Sequence, residues 1–292
     1  MPKQPVHELA TNVLLFKTLE EVLAILQAIE TPAILLKGAA FSLSLYNFTD
    51  NFRAMGDIDI LIHEEDLPKV VQALADHGYL IDWGRPFKNE SGPAFSSELT
   101  ATHPEYKVPV DIHWQLLNHL WLRQVILLDY PAIWQRARPA TAEGHPTLIL
   151  SAEDTLLHAC SHLAFHHFFS SSKLYKDIGL LVQKETLDWD LFIQTAGQSR
   201  LKTTAYCTLS LVRSLHGSQV PETVFTRLMP SALRARLIQV FINPALAQSS
   251  ASGDRALVKS IFIEMLLMDR WRDSIKILVK FLYIGIHNRI IP

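Results

Sequence analysis

The seven residues Gly56-Asp57-Ile58-Asp59-Ile60-Leu61-Ile62 constrain this chain more than any other stretch. In a β-strand Ile58, Ile60 and Ile62 share one face and can be buried. Asp57 and Asp59 then point together to the other face. Two adjacent anions repel, and something must compensate them. A divalent cation does this well, because Mg²⁺ takes carboxylate oxygens and substrate phosphates. Gly56 has no Cβ, so a ligand could approach the backbone there. The plainer alternative is an edge strand with a solvated acidic face.

Two flanking segments bear on the same face. Ala33-Ile34-Leu35-Leu36 reads as a buried strand running into Lys37-Gly38 and then an amphipathic helix. A strand, glycine turn and helix can present backbone N–H groups to phosphate. Lys37 would add a positive charge, or would simply be solvated. Residues 46–55 read as a loop carrying Arg53, which could clamp a triphosphate or pair with Asp57. Downstream, Val108-Pro109-Val110-Asp111-Ile112-His113-Trp114 reads as a second strand, with Asp111 and His113 on one face. Pro109 suggests an edge position. A pair of aspartates plus a third from another strand can hold two Mg²⁺ ions for in-line phosphoryl transfer.

Apolar spacing predicts helices over 7–30 and 64–77, with Gly78 as the residue that stops the second and a strand starting at Tyr79. Residues 84–105 read as an irregular loop or loose hairpin, 114–137 as helix interrupted by Pro131, and 139–146 as a connector. Ser151-Ala152-Glu153-Asp154 is a helix-start signal, and 151–292 reads as mostly helical. The domain boundary is placed near 140–150, giving an α/β domain over 1–145 and a helical domain over 146–292.

The formal net charge of −2 argues against a broad nucleic-acid surface. Cys160 and Cys207 sit in apolar helical patterns and suit a reducing compartment. There is no secretory-type start and no run of about 18 uncharged apolar residues. The cytoplasm is the expected location.

His158, His162 and His166 recur every four residues, and His167 follows. The spacing permits metal binding. No Glu follows His162, so the zinc-protease helix motif is absent. Polar packing or substrate contact is the preferred reading, and a histidine–metal hydrolase the lesser one. Residues 270–289 alternate basic and apolar residues, which fits a docked terminal helix better than a membrane-surface helix.

Several of these runs carry a resemblance. Leu36-Lys37-Gly38-Ala39-Ala40, the segment 46–53, Met55-Gly56-Asp57-Ile58-Asp59-Ile60-Leu61-Ile62 and Val110-Asp111-Ile112-His113-Trp114 resemble the bacterial uncharacterised nucleotidyltransferase family. That family looks like a branch of the polymerase β-like nucleotidyltransferase superfamily. Segments around Glu153-Asp154, His166-His167, Lys176-Asp177 and Asp269-Arg270-Trp271-Arg272-Asp273 resemble the family's helical half. The resemblance implies an α+β fold: a small mixed β-sheet core with flanking helices, then an all-helical C-terminal domain. It implies transfer of a nucleoside monophosphate from an NTP, ATP among the candidates, with Mg²⁺ or Mn²⁺ on Asp57, Asp59 and Asp111. Lys37, Gly38 and Arg53 become nucleotide-binding candidates. The acceptor could be a small molecule, a peptide, an RNA end or a protein side chain. The turn is Lys37-Gly38-Ala39-Ala40, so the superfamily's phosphate-binding serine is missing, and Ser42 is the candidate replacement. That absence keeps open a catalytically inactive nucleotide- or partner-binding protein.

Overall fold

The computed structural model describes residues 6–46, 53–83, 97–117, 120–242 and 254–279. Most of the loop expected at 46–55, the first part of 84–105 and the end of 270–289 lie outside them. The chain divides into two compact units, one of residues 1–120 and 131–151, the other of 121–130 and 152–292.

The first unit is built on a sheet. Its strands are β1 (Ile34–Leu35), β2 (Ile58–Leu61), β3 (Leu80–Asp82), β4 (Glu98–Thr102), β5 (Pro109–His113), β6 (Arg138–Ala142) and β7 (His145–Ile149). Among the described residues they run β3-β4-β5-β2-β1-β7-β6. β2 pairs parallel with β5 and β1 parallel with β7; the other neighbours are antiparallel. The acidic strand is therefore central. All four residues of β2 are buried, and the edge-strand alternative is set aside. Ile58, Ile60, Ile62, Val110 and Ile112 join a core with Leu19, Val22 and Leu26 of α1 (Val6–Ala28) and Val70 and Leu74 of α3 (Leu67–Asp76).

Three expectations are corrected. Pro109 is not at a sheet edge: β5 lies between β4 and β2. It is tolerated because it is the first residue of its strand, where a missing N–H costs least. Residues 139–146 are not a connector but the body of a β-hairpin, with Ala142 opposite His145. In place of the helix expected over 114–137, the described residues form two short ones, α4 (Leu120–Arg123) and α5 (Tyr130–Arg136). Gly78 does end α3. Its φ is +84°, and Tyr79 N–H returns to the Leu74 carbonyl.

The second unit is helical. α6 (Ala152–Phe165) packs against α7 (Ser172–Lys184), α8 (Trp189–Gln198) and α9 (Lys202–His216). Twelve of its fourteen residues are buried, as suits a helix surrounded by others. Several helix starts are capped from a distance. Glu153 accepts from Asp188 N–H at 2.8 Å, and Asp188 caps α8 through Leu191 N–H. Asp269 accepts from Lys202 and Thr203 N–H at the start of α9. Carboxylates there complement the helix dipole. Cys160 and Cys207 are buried and unbridged. Among the described residues no helix is long and apolar enough to cross a membrane.

Ile60 is fully buried at the middle of the sheet. We expect Ile60→Ala to cost the first unit about 2–5 kcal/mol. Urea unfolding followed by circular dichroism would measure this; a loss under about 0.5 kcal/mol would show that Ile60 is not packed as described.

Candidate active site

The parallel pairing of β2 with β5 places Asp59 opposite Asp111. Antiparallel pairing with β4 sets Thr100 opposite Asp111 and Glu98 opposite His113. One face of three strands thus carries Asp59, Asp111, His113, Thr100 and Glu98, while their apolar alternates fill the core. Asp59, Asp111 and His113 offer ligand atoms within 4.8 Å of one another. Asp57 is exposed, one residue ahead of β2, and is not part of that cluster.

Asp59 is 2% exposed, and a buried carboxylate must be paired. Lys37 Nζ donates to its Oδ1 at 2.5 Å, and His113 Nε2 lies 2.8 Å from the same oxygen. Burial pushes the Asp59 pKa up, but the Lys37 charge and the His113 hydrogen bond hold it well below the carboxylate range. His113 Nδ1 lies 3.0 Å from Glu98, an ion-pair contact rather than an aligned hydrogen bond. Burial and the Lys37 charge press the His113 pKa down; Asp59 and Glu98 outweigh them, and it is pushed up to about 9. The imidazole is therefore a cation at neutral pH.

The other two aspartates differ. Although the residue is exposed as a whole, the Asp57 pKa is raised, first by partial desolvation of its carboxyl against the sheet and then by the Asp59 charge. That of Asp111 is raised by burial and by Asp59, against a 2.7 Å hydrogen bond from Thr100 Oγ1. Asp111 is accordingly more basic than an ordinary aspartate, and Asp59 less so.

The approach to this face is built from α2 (Lys37–Ser44) and the segment that includes Arg53. Lys37 adopts φ +43°, a left-handed conformation costing about 1 kcal/mol. Gly38 leaves room for two side chains: a Cβ there would lie 2.6 Å from Arg53 Nη1 and 3.1 Å from Met55, so both would have to move aside. The Arg53 guanidinium stands 5.5 Å over the Phe41 ring. Asn12 fastens this segment, donating to the Arg53 carbonyl at 2.7 Å and accepting from Met55 N–H at 3.1 Å. Ser42 is buried, and its hydroxyl donates to the Gly38 carbonyl at 2.8 Å. It points into its own helix, so it does not take the place of the missing phosphate-binding serine.

His113, Glu98 and Thr100 complete the cluster and were not among the site residues read from the sequence. His113 was within reach, since it shares the Asp111 face. Glu98 and Thr100 lie in the stretch read as an irregular loop or loose hairpin; β4 there pairs antiparallel with β3, and Glu98-Leu99-Thr100-Ala101-Thr102 alternates polar with apolar.

The His113 charge state has a testable sign. Its folded pKa of about 9 lies above the ordinary 6.5, so its stabilising contribution is complete below pH 6.5 and lost as pH rises through 9. Asp59 works the other way, losing its contribution as pH falls below its ordinary 3.8. We expect a nuclear magnetic resonance titration to show the His113 ring protonated at pH 7.5 and neutral by about pH 10. A ring already neutral at pH 7 would refute the arrangement.

No curated protein matches the chain at a significant level. Among solved structures, it is similar to the lincosamide antibiotic adenylyltransferase LnuA in its lincomycin-bound crystal form, at 19% identity. That match covers 58% of this chain and 97% of that one, with a TM-score of 0.40. It is also similar to the antibiotic-resistance factor ANT(2'')-Ia in solution, at 12% identity, covering 69% and 92%, with a TM-score of 0.41. Residues 7–217 match the family of uncharacterised nucleotidyltransferases, and the chain belongs to that family.

Proposed function

We propose that this protein transfers a nucleoside monophosphate from an NTP to an acceptor hydroxyl, with Mg²⁺ or Mn²⁺, on the face formed by β2 and β5. The supporting observation is the in-register juxtaposition of Asp59 and Asp111, with Asp57 two residues before Asp59. Oxygen donors of this kind suit Mg²⁺. Asp57, Asp59 and Asp111 would hold it, and a bound ion would neutralise phosphate charge and favour attack at the α-phosphate.

The residues divide the work. Lys37 and His113 keep Asp59 ionised, so its carboxylate is available as a ligand at any physiological pH. The more basic Asp111 is suited to take the acceptor's proton as its oxygen bonds to the α-phosphate and pyrophosphate departs. Arg53, held against Gly38 and Phe41, supplies a fixed cation for the triphosphate. Lys37 is the second nucleotide-side cation. The unbridged, buried cysteines support a reducing, cytoplasmic setting.

One observation favours a second reading. The Lys37 ammonium already sits on Asp59 Oδ1, as it would in a protein that binds a nucleotide or a partner without turnover. Incubation with each α-labelled NTP, Mg²⁺ or Mn²⁺ and a cell extract separates the two. Label transferred to an acceptor supports the enzyme; NTP binding without transfer under every condition supports the second reading.

Variants test the roles. We expect Asp57→Asn and Asp59→Asn each to weaken metal-dependent NTP binding in calorimetric titration, and unchanged binding in both would remove the metal assignment. Asp111→Asn should keep much of its NTP affinity and lose transfer by about two orders of magnitude, the usual scale for one transition-state stabiliser. Turnover equal to the unaltered protein would make Asp111 structural.

A further inference from the structure

We propose that His162, His166 and His167 form a binding site for a Zn²⁺-class transition-metal ion. This site is in the helical unit and shares no residue with the acidic cluster. It reverses the reading of these histidines from spacing alone, because the structure supplies a third ligand.

His162 and His166 lie a helical turn apart, as a two-ligand helix site requires. His167 would ordinarily point about 100° away from His166 around an α-helix. Here α6 ends at Phe165, and His166 N–H and His167 N–H both return to the His162 carbonyl. The chain then passes through two consecutive left-handed residues, Phe168 at φ +45° and Phe169 at φ +63°. Such conformations are uncommon for bulky side chains and persist only where the surroundings impose them. The surroundings do so here. Phe169 is fully buried, its N–H bonds the Leu163 carbonyl, and its carbonyl accepts the Tyr175 hydroxyl at 3.0 Å. Ser170 N–H and hydroxyl both donate to the His167 carbonyl.

The outcome is three imidazoles at one corner. The rings of His162 and His166 stack at 4.7 Å, and His167 stands edge-on to both at 4.8 and 4.9 Å. Their ligand nitrogens all lie within 4.8 Å of one another. Tetrahedral Zn²⁺ with Zn–N bonds of about 2.0–2.1 Å needs these atoms about 3.4 Å apart. The remaining distance to close is at most about 1.4 Å. His158, whose ring is 6.1 Å from that of His162, is not one of the three.

The chemistry selects the ion. Three neutral imidazoles suit Zn²⁺, Co²⁺ or Ni²⁺ and not Mg²⁺. The carboxyl end of α6 carries the negative pole of the helix dipole, which favours a cation. His166 is exposed and the other two half-exposed, so an ion can enter. Three protein ligands leave one position for water or an anion.

The test uses tag-free, full-length protein stripped with a chelator and titrated with Zn²⁺ in excess Mg²⁺. We expect one Zn²⁺ per chain, and with Co²⁺ the intense visible bands of a four-coordinate ion. His166→Ala and His167→Ala should each weaken Zn²⁺ binding about tenfold or more, and together abolish stoichiometric binding, while Asp111→Asn leaves it unchanged. Should a histidine variant fail to fold, Zn²⁺-induced resonance shifts in the unaltered protein decide the matter. Shifts at the His162, His166 and His167 rings support the site; shifts confined to other histidines overturn it. Absence of stoichiometric Zn²⁺ binding, or binding retained in the double variant, also overturns it.

Discussion

The first unit depends on how a single buried anion is neutralised. Asp59 sits mid-sheet with almost no access to solvent, and an unpaired charge there would cost several kcal/mol. Both of its cations come from outside its own strand. His113 arrives because β5 runs parallel to β2, and Lys37 because the chain turns left-handed between β1 and α2. Removing either would leave a buried charge poorly compensated. The strain at Lys37 and the burial of His113 make sense together, as the conditions under which a carboxylate can remain ionised inside a sheet. The same arrangement separates the character of two facing aspartates, one strongly acidic and one weakly so.

Much of this was legible in the chain. Isoleucine alternation put Asp59 on the face away from the core, and the same alternation put Asp111 opposite it on a second strand, whereas Asp57 lies outside that cluster. Gly78 ended its helix where expected, and the helical half followed from apolar spacing. Other features depended on pairing, which period-two alternation does not reveal. Nothing in Val108-Pro109-Val110 says that β5 has neighbours on both sides, and Pro109 suggested otherwise. β6 and the first two residues of β7, with their Pro, Thr and Ala, read as a connector; their strand character comes from the pairing of β6 with β7 and of β7 with β1. Gly38 was read as a phosphate turn, whereas its lack of a side chain also makes room for Arg53, a contact across 15 residues that no local pattern encodes.

The helical unit shows the same division between local and distant causes. Ser171 and Asp188 cap their own helices, as sequence rules anticipate. The starts of α8 and α9 are also served by Glu153 and Asp269, 35 and 67 residues away from their partners. Glu153, Asp188 and Asp269 therefore have structural duties at helix starts in this unit.

The pairing of β1 with β7 orders events during synthesis. Ile34 and Leu35 align with Leu148 and Ile149, so the sheet's middle stays open on one side until more than a hundred further residues have been made. Contacts of such separation form late because the intervening loop must close first. Until then β1 presents an unpaired parallel edge next to the strand bearing Asp59, the kind of edge that invites pairing with another chain. The hairpin of β6 and β7 is thus the closing piece of the first unit, and a nascent chain released before it would expose that edge beside the strand that carries buried Asp59.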